Sequence, residues 1–205
     1  GMVGEWNFYH HGEDVGKIPD EHWYMADYLN NRGTYHETPQ FPLRAVNVTE
    51  SNYVWGPLEN WVKGALQLNG KNQYAVLTDA DMNKPYVYEV DKQKKTVSGD
   101  QLRNPQIHTS NFLIEICFKT SVGQGRSILV EKMGSAGYSL VLNAKGGVTL
   151  AAKGRSGTVA LDSVAKVNDG RWHHLIAEAD RQAKTMTIYL AGRKNASGRG
   201  LGPES

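Results

Sequence analysis

Residues 169–179, Asp-Gly-Arg-Trp-His-His-Leu-Ile-Ala-Glu-Ala, place a tryptophan directly before two histidines. Imidazoles beside an indole could ligate a metal, supply a base next to a sugar-stacking ring, or simply form part of a core strand. On a strand, neighbouring side chains point to opposite faces. His173 then shares a face with Leu175, Ala177 and Ala179, and Trp172 shares the other with His174, Ile176 and Glu178. Two adjacent histidines on a regular strand therefore cannot chelate one ion together. The apolar run Leu175-Ala177-Ala179 assigns His173 to the core, where its ring needs a partner, expected from the backbone. Trp172 and His174 remain as candidates for a carbohydrate-binding surface on the outer face.

Other residues with chemical potential are scattered. Asp79, Asp81 and Asn83 offer hard oxygens at alternate positions after a strand, a pattern suited to Ca²⁺. An EF-hand is excluded, because Lys84 stands where its glycine belongs and Val90 where its glutamate belongs. A calcium ion at the sheet rim is the only cofactor expectation. Trp23 and Tyr24 lie in a polar stretch and are candidate sugar-stacking rings, whereas Trp6, Trp55 and Trp61 are expected to pack the long insertion onto the sandwich. Cys117 is the only cysteine, so no intrachain disulfide can form. It falls within an alternating strand with no helix N-terminus to activate it, and is expected to be inert. His10, His11 and His108 are bare candidates for a lyase base. The sequons at Asn47-Val-Thr49 and Asn195-Ala-Ser197 carry little weight without a eukaryotic secretory context.

The elements that must position these groups are strands. In residues 111–120, Phe112, Ile114, Ile116 and Phe118 share one face, and Glu115 and Lys119 the other. Residues 126–133 read as a strand. Residues 137–154 read as two strands around Asn143-Ala-Lys-Gly-Gly147, a hairpin signature. Asn168-Asp169-Gly170 is a strong turn, and residues 185–192 form a further strand. Residues 64–79 read as two short strands around Asn69-Gly70, and 85–99 as a hairpin tipped by Lys92-Gln-Lys-Lys95. The first 62 residues are long and irregular, with a short helix expected over 19–31. Of the 5 Trp, 10 Tyr and 4 Phe in the chain, 11 fall before residue 62. Short strands separated by Gly- or Asn-containing turns indicate an antiparallel sandwich.

Bulk composition narrows the function. With 205 residues and 40% hydrophobic content, the chain can build a sizeable core as one domain. A net charge of +2 argues against nucleic acid as the partner. No run of about 18 apolar residues exists to span a membrane. No signal peptide is visible. Gly1 before Met2 reads as a tag remnant.

Four segments in order resemble the laminin-G-like domains of the concanavalin A-like lectin/glucanase superfamily. They are Lys63–Leu77, Phe112–Thr120, Ile128–Ala152 and Asp169–Gly192, and the Asp-Gly-x-Trp-His-His strand is the most specific piece. Val3–Phe8 is similar to the family's first strand. The resemblance implies an all-β, antiparallel jelly-roll sandwich of concanavalin A-like type with a long irregular N-terminal insertion. It implies a single domain over 1–205: first strand and insertion over 1–62, core sandwich over 63–192, and a flexible tail over 193–205. Because the family continues with further strands, an open sheet edge is expected, and three readings follow: the chain is a fragment of a longer protein, the N-terminal region completes the sheet, or a second copy pairs with the edge in self-association.

The family's hydrolases carry Glu-x-Asp-x-x-Glu on one strand, which aims the carboxylates at one face. Glu89-Val-Asp91 is followed by Lys94 at the third position, and Glu178-Ala-Asp180 by Ala183, so neither completes the motif. The expectation is a non-catalytic carbohydrate-binding or adhesion module of a secreted or surface bacterial protein, with a glycan or polysaccharide as partner. The alternatives are a jelly-roll lyase or hydrolase with non-standard catalytic residues, and a structural domain that associates through its edge.

Overall fold

Strand alternation over 112–199 folds into two four-stranded antiparallel sheets. The computed structural model describes residues 15–18, 42–57, 64–90, 92–97, 109–121 and 125–203. Two compact units divide the chain, Gly1–Pro105 and Gln106–Ser205.

In the first unit the described strands are short: β1 (Lys17–Ile18), β2 (Leu43–Val46), β3 (Tyr53–Trp55), β4 (Gly64–Leu66) and β5 (Tyr74–Val76). A helical turn, α1 (Asp79–Met82), and a hairpin of β6 (Tyr86–Val90) and β7 (Gln93–Val97) follow. The sheet order is β1-β2-β5, with β3-β4 and β6-β7 as separate pairs. The two strands around Asn69-Gly70 therefore form as expected but pair elsewhere, β4 with β3 and β5 with β2. Side-chain amides hold the loops here. Asn52 and Gln73 bond reciprocally, Gln73 Nε2 to Asn52 Oδ1 at 3.2 Å and Asn52 Nδ2 to Gln73 Oε1 at 3.3 Å. Gln73 Nε2 also donates to Asn47 O at 2.9 Å, and Asn52 Nδ2 to Gln67 O at 2.8 Å. Trp55, expected to pack, is 72% exposed. Its cross-strand neighbour is Gly64, which has no side chain to cover the ring.

In the second unit, β8 (Phe112–Lys119), β13 (Trp172–Asp180), β14 (Thr185–Leu190) and β15 (Arg193–Arg199) make one sheet in the order β15-β14-β13-β8. The other contains β9 (Ser127–Met133), β10 (Gly137–Leu142), β11 (Val148–Gly154) and β12 (Gly157–Asp162) in the order β12-β11-β10-β9. The facing sides alternate Leu140, Leu142, Val148, Leu150 and Ala152 against Phe118, Leu175, Ala177, Ala179, Met186 and Ile188. Burial of each large side chain stabilises the fold by about 1.5–3 kcal/mol. The fold is thus all-β and antiparallel, a sandwich of the kind the resemblance implies.

The 137–154 hairpin forms as expected. Asn143 Oδ1 accepts from Lys145 N at 3.0 Å and Gly147 N at 3.1 Å, which fixes the turn. Gly146 has φ +83°, and a Cβ there would lie 2.4 Å from Asn168 Oδ1.

The segment expected to be a flexible tail is instead an edge strand over residues 193–199, paired with β14. Its polar, Gly-containing sequence hid this. Only inward positions need be small or apolar on an edge strand, and outward charges suit it. Ala196 packs on the core, Gly198 opposes Met186, and Leu201 beyond the strand is buried.

Candidate functional site

The strand bearing Trp172 is set by the turn before it. Asp169 Oδ1 accepts from Arg171 N at 3.0 Å, and Gly170 N donates to Thr120 O at 2.9 Å, tying the turn to the end of β8. Antiparallel register then places Trp172 opposite Lys119, His174 opposite Cys117, and Ile176 opposite Glu115. Leu175, Ala177 and Ala179 are 0–3% exposed, so the odd-numbered face of β13 is the core face. Trp172 and His174 lie on the other side, with Glu115, Cys117 and Lys119 beside them.

His173 departs from expectation. It is on the core side and its ring centroid is 6.0 Å from that of Phe118. It sits at the end of the strand, however, with 20% of its side chain exposed, and its Nε2 is 2.8 Å from Asp169 Oδ1 rather than bonded to a backbone group. The reason is local: the Asn-Asp-Gly turn folds the Asp169 carboxylate back over the first residues of β13. The contact with His173 holds the Asp169 carboxyl below its ordinary value, with the Arg171 amide assisting.

His174 meets a carboxylate on the other face. Its Nε2 is 2.7 Å from Glu115 Oε1, a diagonal contact between adjacent strands. Both groups reach solvent, at 39% and 60% side-chain exposure. Cys117 stands opposite His174 on β8, two residues from Glu115, and burial, then the nearby Glu115 charge, pushes its thiol up. A raised thiol carries less of the nucleophilic thiolate at neutral pH, which disfavours a catalytic role for Cys117. Glu178 shares this outer face, opposite Leu113, and so lies diagonally from Glu115. Diagonal neighbours have Cα atoms about 7–8 Å apart.

The arrangement offers a half-buried indole, an oriented imidazole–carboxylate pair and the Lys119 ammonium on one face of this sheet. An indole face accepts the CH side of a sugar ring, and the polar groups can hydrogen-bond hydroxyls. Sequence alternation put Trp172, His174, Glu115 and Lys119 on outer faces, but their adjacency depends on the β8–β13 register.

The other sequence candidates do not join this cluster. Trp23 and Tyr24, the helix over 19–31 and the strand over 3–8 lie outside the described residues. Asp79 and Asp81 lie in α1, with Asn83 at its C-cap. Residues two apart on a helical turn do not face each other, so alternate oxygens do not converge as they would in a loop. Thr78 Oγ1 donates to Asp81 Oδ2 at 2.5 Å and Lys84 Nζ to Asp81 Oδ1 at 2.8 Å. These contacts hold the Asp81 carboxyl at about 2. Among the described residues, no three His, Cys, Asp or Glu side chains cluster to hold a metal. None of the described helices is long and apolar enough to cross a membrane.

A laminin G family model, described as the concanavalin A-like lectin/glucanases superfamily, matches residues 96–205. No curated protein matches the chain. Among solved structures, it is similar to domains LG4-5 of the mouse laminin alpha1 chain at 18% identity and a TM-score of 0.36, covering 45% of this chain and 24% of that one. The chain thus spans about a quarter of that structure. It is also similar to residues 221–444 of an S-layer domain-containing protein from Clostridium thermocellum, at 16% identity and a TM-score of 0.36, covering 97% of this chain and 73% of that one.

Proposed function

This chain belongs to the concanavalin A-like lectin/glucanases superfamily, and from that premise we propose that it is a non-catalytic carbohydrate-binding module acting at a bacterial cell surface or outside the cell. The observation that carries the reading is the outer face of β13. There Trp172 stands opposite Lys119, and His174 is held 2.7 Å from Glu115. Binding would stack a sugar ring on the indole, while the imidazole, carboxylate and ammonium hydrogen-bond its hydroxyls. A pair oriented before the ligand arrives loses less side-chain freedom on binding.

A glycan array followed by calorimetry on the best ligand tests the site. Trp172→Ala is expected to weaken binding at least tenfold, and His174→Ala or Glu115→Gln several-fold, with folding intact. Full affinity in Trp172→Ala would remove this face from consideration. A calcium ion at Asp79, Asp81 and Asn83 would have to compete with Lys84 for Asp81. Repeating the titration with and without Ca²⁺ decides whether the ion belongs to the module.

The diagonal Glu115 and Glu178 favour a second reading, a glycoside hydrolase, because two carboxylates flanking a glycosidic bond are what that chemistry needs. Product released from the bound polysaccharide, and lost in Glu178→Gln, would replace the binding-module reading.

A further inference from the structure

Asn69-Gly70 is the only Asn-Gly pair in the chain. The loop around it converges on one atom. Asn69 Oδ1 accepts from the backbone N–H of Lys71 at 2.9 Å, Asn72 at 3.2 Å and Gln73 at 3.4 Å. Successive amides aimed at one oxygen form a concavity that favours negative charge. Gly70 adopts φ +67°, and among the described residues nothing beyond its chain neighbours lies within 4 Å of where a Cβ would be, so the loop is open on that side. Asn69 and Gly70 are both exposed to water.

We infer that Asn69 is a self-modification site, at which the loop's own backbone promotes deamidation. The Gly70 nitrogen, having given its proton to a solvent base, attacks Asn69 Cγ. A new C–N bond forms, and the electron pair of the carbonyl moves onto Oδ1. The three amides facing Oδ1 stabilise this oxyanion, as preorganised donors do in acyl-transfer enzymes. The carbonyl re-forms, the Cγ–Nδ2 bond breaks, and Nδ2 takes a proton from water and leaves as ammonia. Water then opens the cyclic imide at either carbonyl, leaving an aspartyl or isoaspartyl residue in place of Asn69. No oxidant or cofactor is needed.

The modification has a structural target. Asn69 Nδ2 donates to Asn72 Oδ1 at 2.8 Å, and that donor becomes an oxygen facing an oxygen. The isoaspartyl product also lengthens the backbone beside Gln73. Gln73 Oε1 accepts from Asn69 N at 2.9 Å, and Gln73 also joins this loop to Asn47 and Asn52. The reaction therefore releases the clasp on the first unit's loops.

Peptide mapping by mass spectrometry, with isoaspartyl detection, tests the inference on the intact chain held in mildly alkaline buffer. The native protein is compared with the same chain unfolded in urea and with a synthetic peptide of residues 64–78 in the same buffer without urea. One preorganised donor is worth about 10²–10³ in rate inside an enzyme. For exposed amides the expectation is that native Asn69 converts at least about threefold faster than in either unfolded reference. An equal or slower native rate overturns the inference, because the loop would then leave the intrinsic Asn-Gly rate unchanged or protect against it.

Discussion

The two units of this chain are held by different forces and carry opposite charge. The first, 1–105, has 10 Lys and Arg against 14 Asp and Glu, a formal charge of −4; the second, 106–205, has 13 against 7, or +6. The near-neutral total conceals this division. In the second unit, strands of six to nine residues bury Leu140, Val148, Leu150, Leu175, Met186 and Ile188 to 0% exposure. In the first, the described strands are two to five residues long, and the loops are joined by Asn and Gln side chains. Apolar burial is large and non-directional, whereas each amide contact exchanges a bond to water for one to protein and contributes little net. The second unit should therefore be sensitive to lost volume, and the first to lost hydrogen-bond geometry.

The harshest test of that contrast is Leu175→Ala in β13. A fully buried leucine truncated in a central strand is expected to cost about 2–5 kcal/mol, read as a fall in the denaturant midpoint. A loss below 1 kcal/mol would mean that the sandwich is not the packed half of the molecule. Gly146→Ala probes the same unit through its backbone. The positive φ alone costs about 1–2 kcal/mol, and the new Cβ must also displace Asn168. Unchanged thermal stability would contradict the close approach of Gly146 to Asn168.

Asn52→Ala tests the other half. Loss of the reciprocal amide pair with Gln73 is expected to cost about 0.5–1.5 kcal/mol. Hydrogen exchange should quicken in residues 47–52 and 67–73 while β10, β11 and β13 keep their protection. Exchange that quickens equally in both units would erase the contrast.

The smallest effects come from two aspartates, one in each unit. Asp81 is held at about 2 by Lys84 and Thr78, and Asp169 is lowered by His173 and the Arg171 amide. A depressed carboxyl pKa contributes stability that is present above the unfolded value, 3.8 here, and lost as pH falls through the folded value. Stability should therefore fall below about pH 3.8, with Asp81→Asn and Asp169→Asn each removing part of the slope in an acid titration followed by circular dichroism. Both groups are exposed, so the changes will be small. A slope unaltered in both variants would show that neither contact is maintained in solution.

Much of the second unit was legible because alternation is a strong signal where one face is buried. Residues 112–119 and 172–180 showed their core faces directly, and the Asn143–Gly147 turn announced its hairpin. The edge strand over 193–199 was hidden because its sequence obeys edge chemistry rather than core chemistry. The partner of His173 was within reach of sequence, since Asp169 stands four residues before it across a turn, but the apolar run beyond drew the reading toward full burial. Trp55 was misjudged because its exposure follows from pairing with Gly64, which sequence alone does not disclose.

The sequence by itself determined that the chain is an antiparallel β protein, which strand faces meet the core, and that adjacent histidines cannot share one ion. The faces and the histidines need only the two-residue period of a strand, and the antiparallel arrangement follows from the short Gly- and Asn-containing turns between strands. Only the tertiary structure decided that His174 meets Glu115, that Glu178 lies diagonally from that same carboxylate, and that three backbone amides converge on Asn69. The first two depend on strand register, which joins residues some 60 positions apart. The third depends on a loop conformation that no periodic pattern encodes.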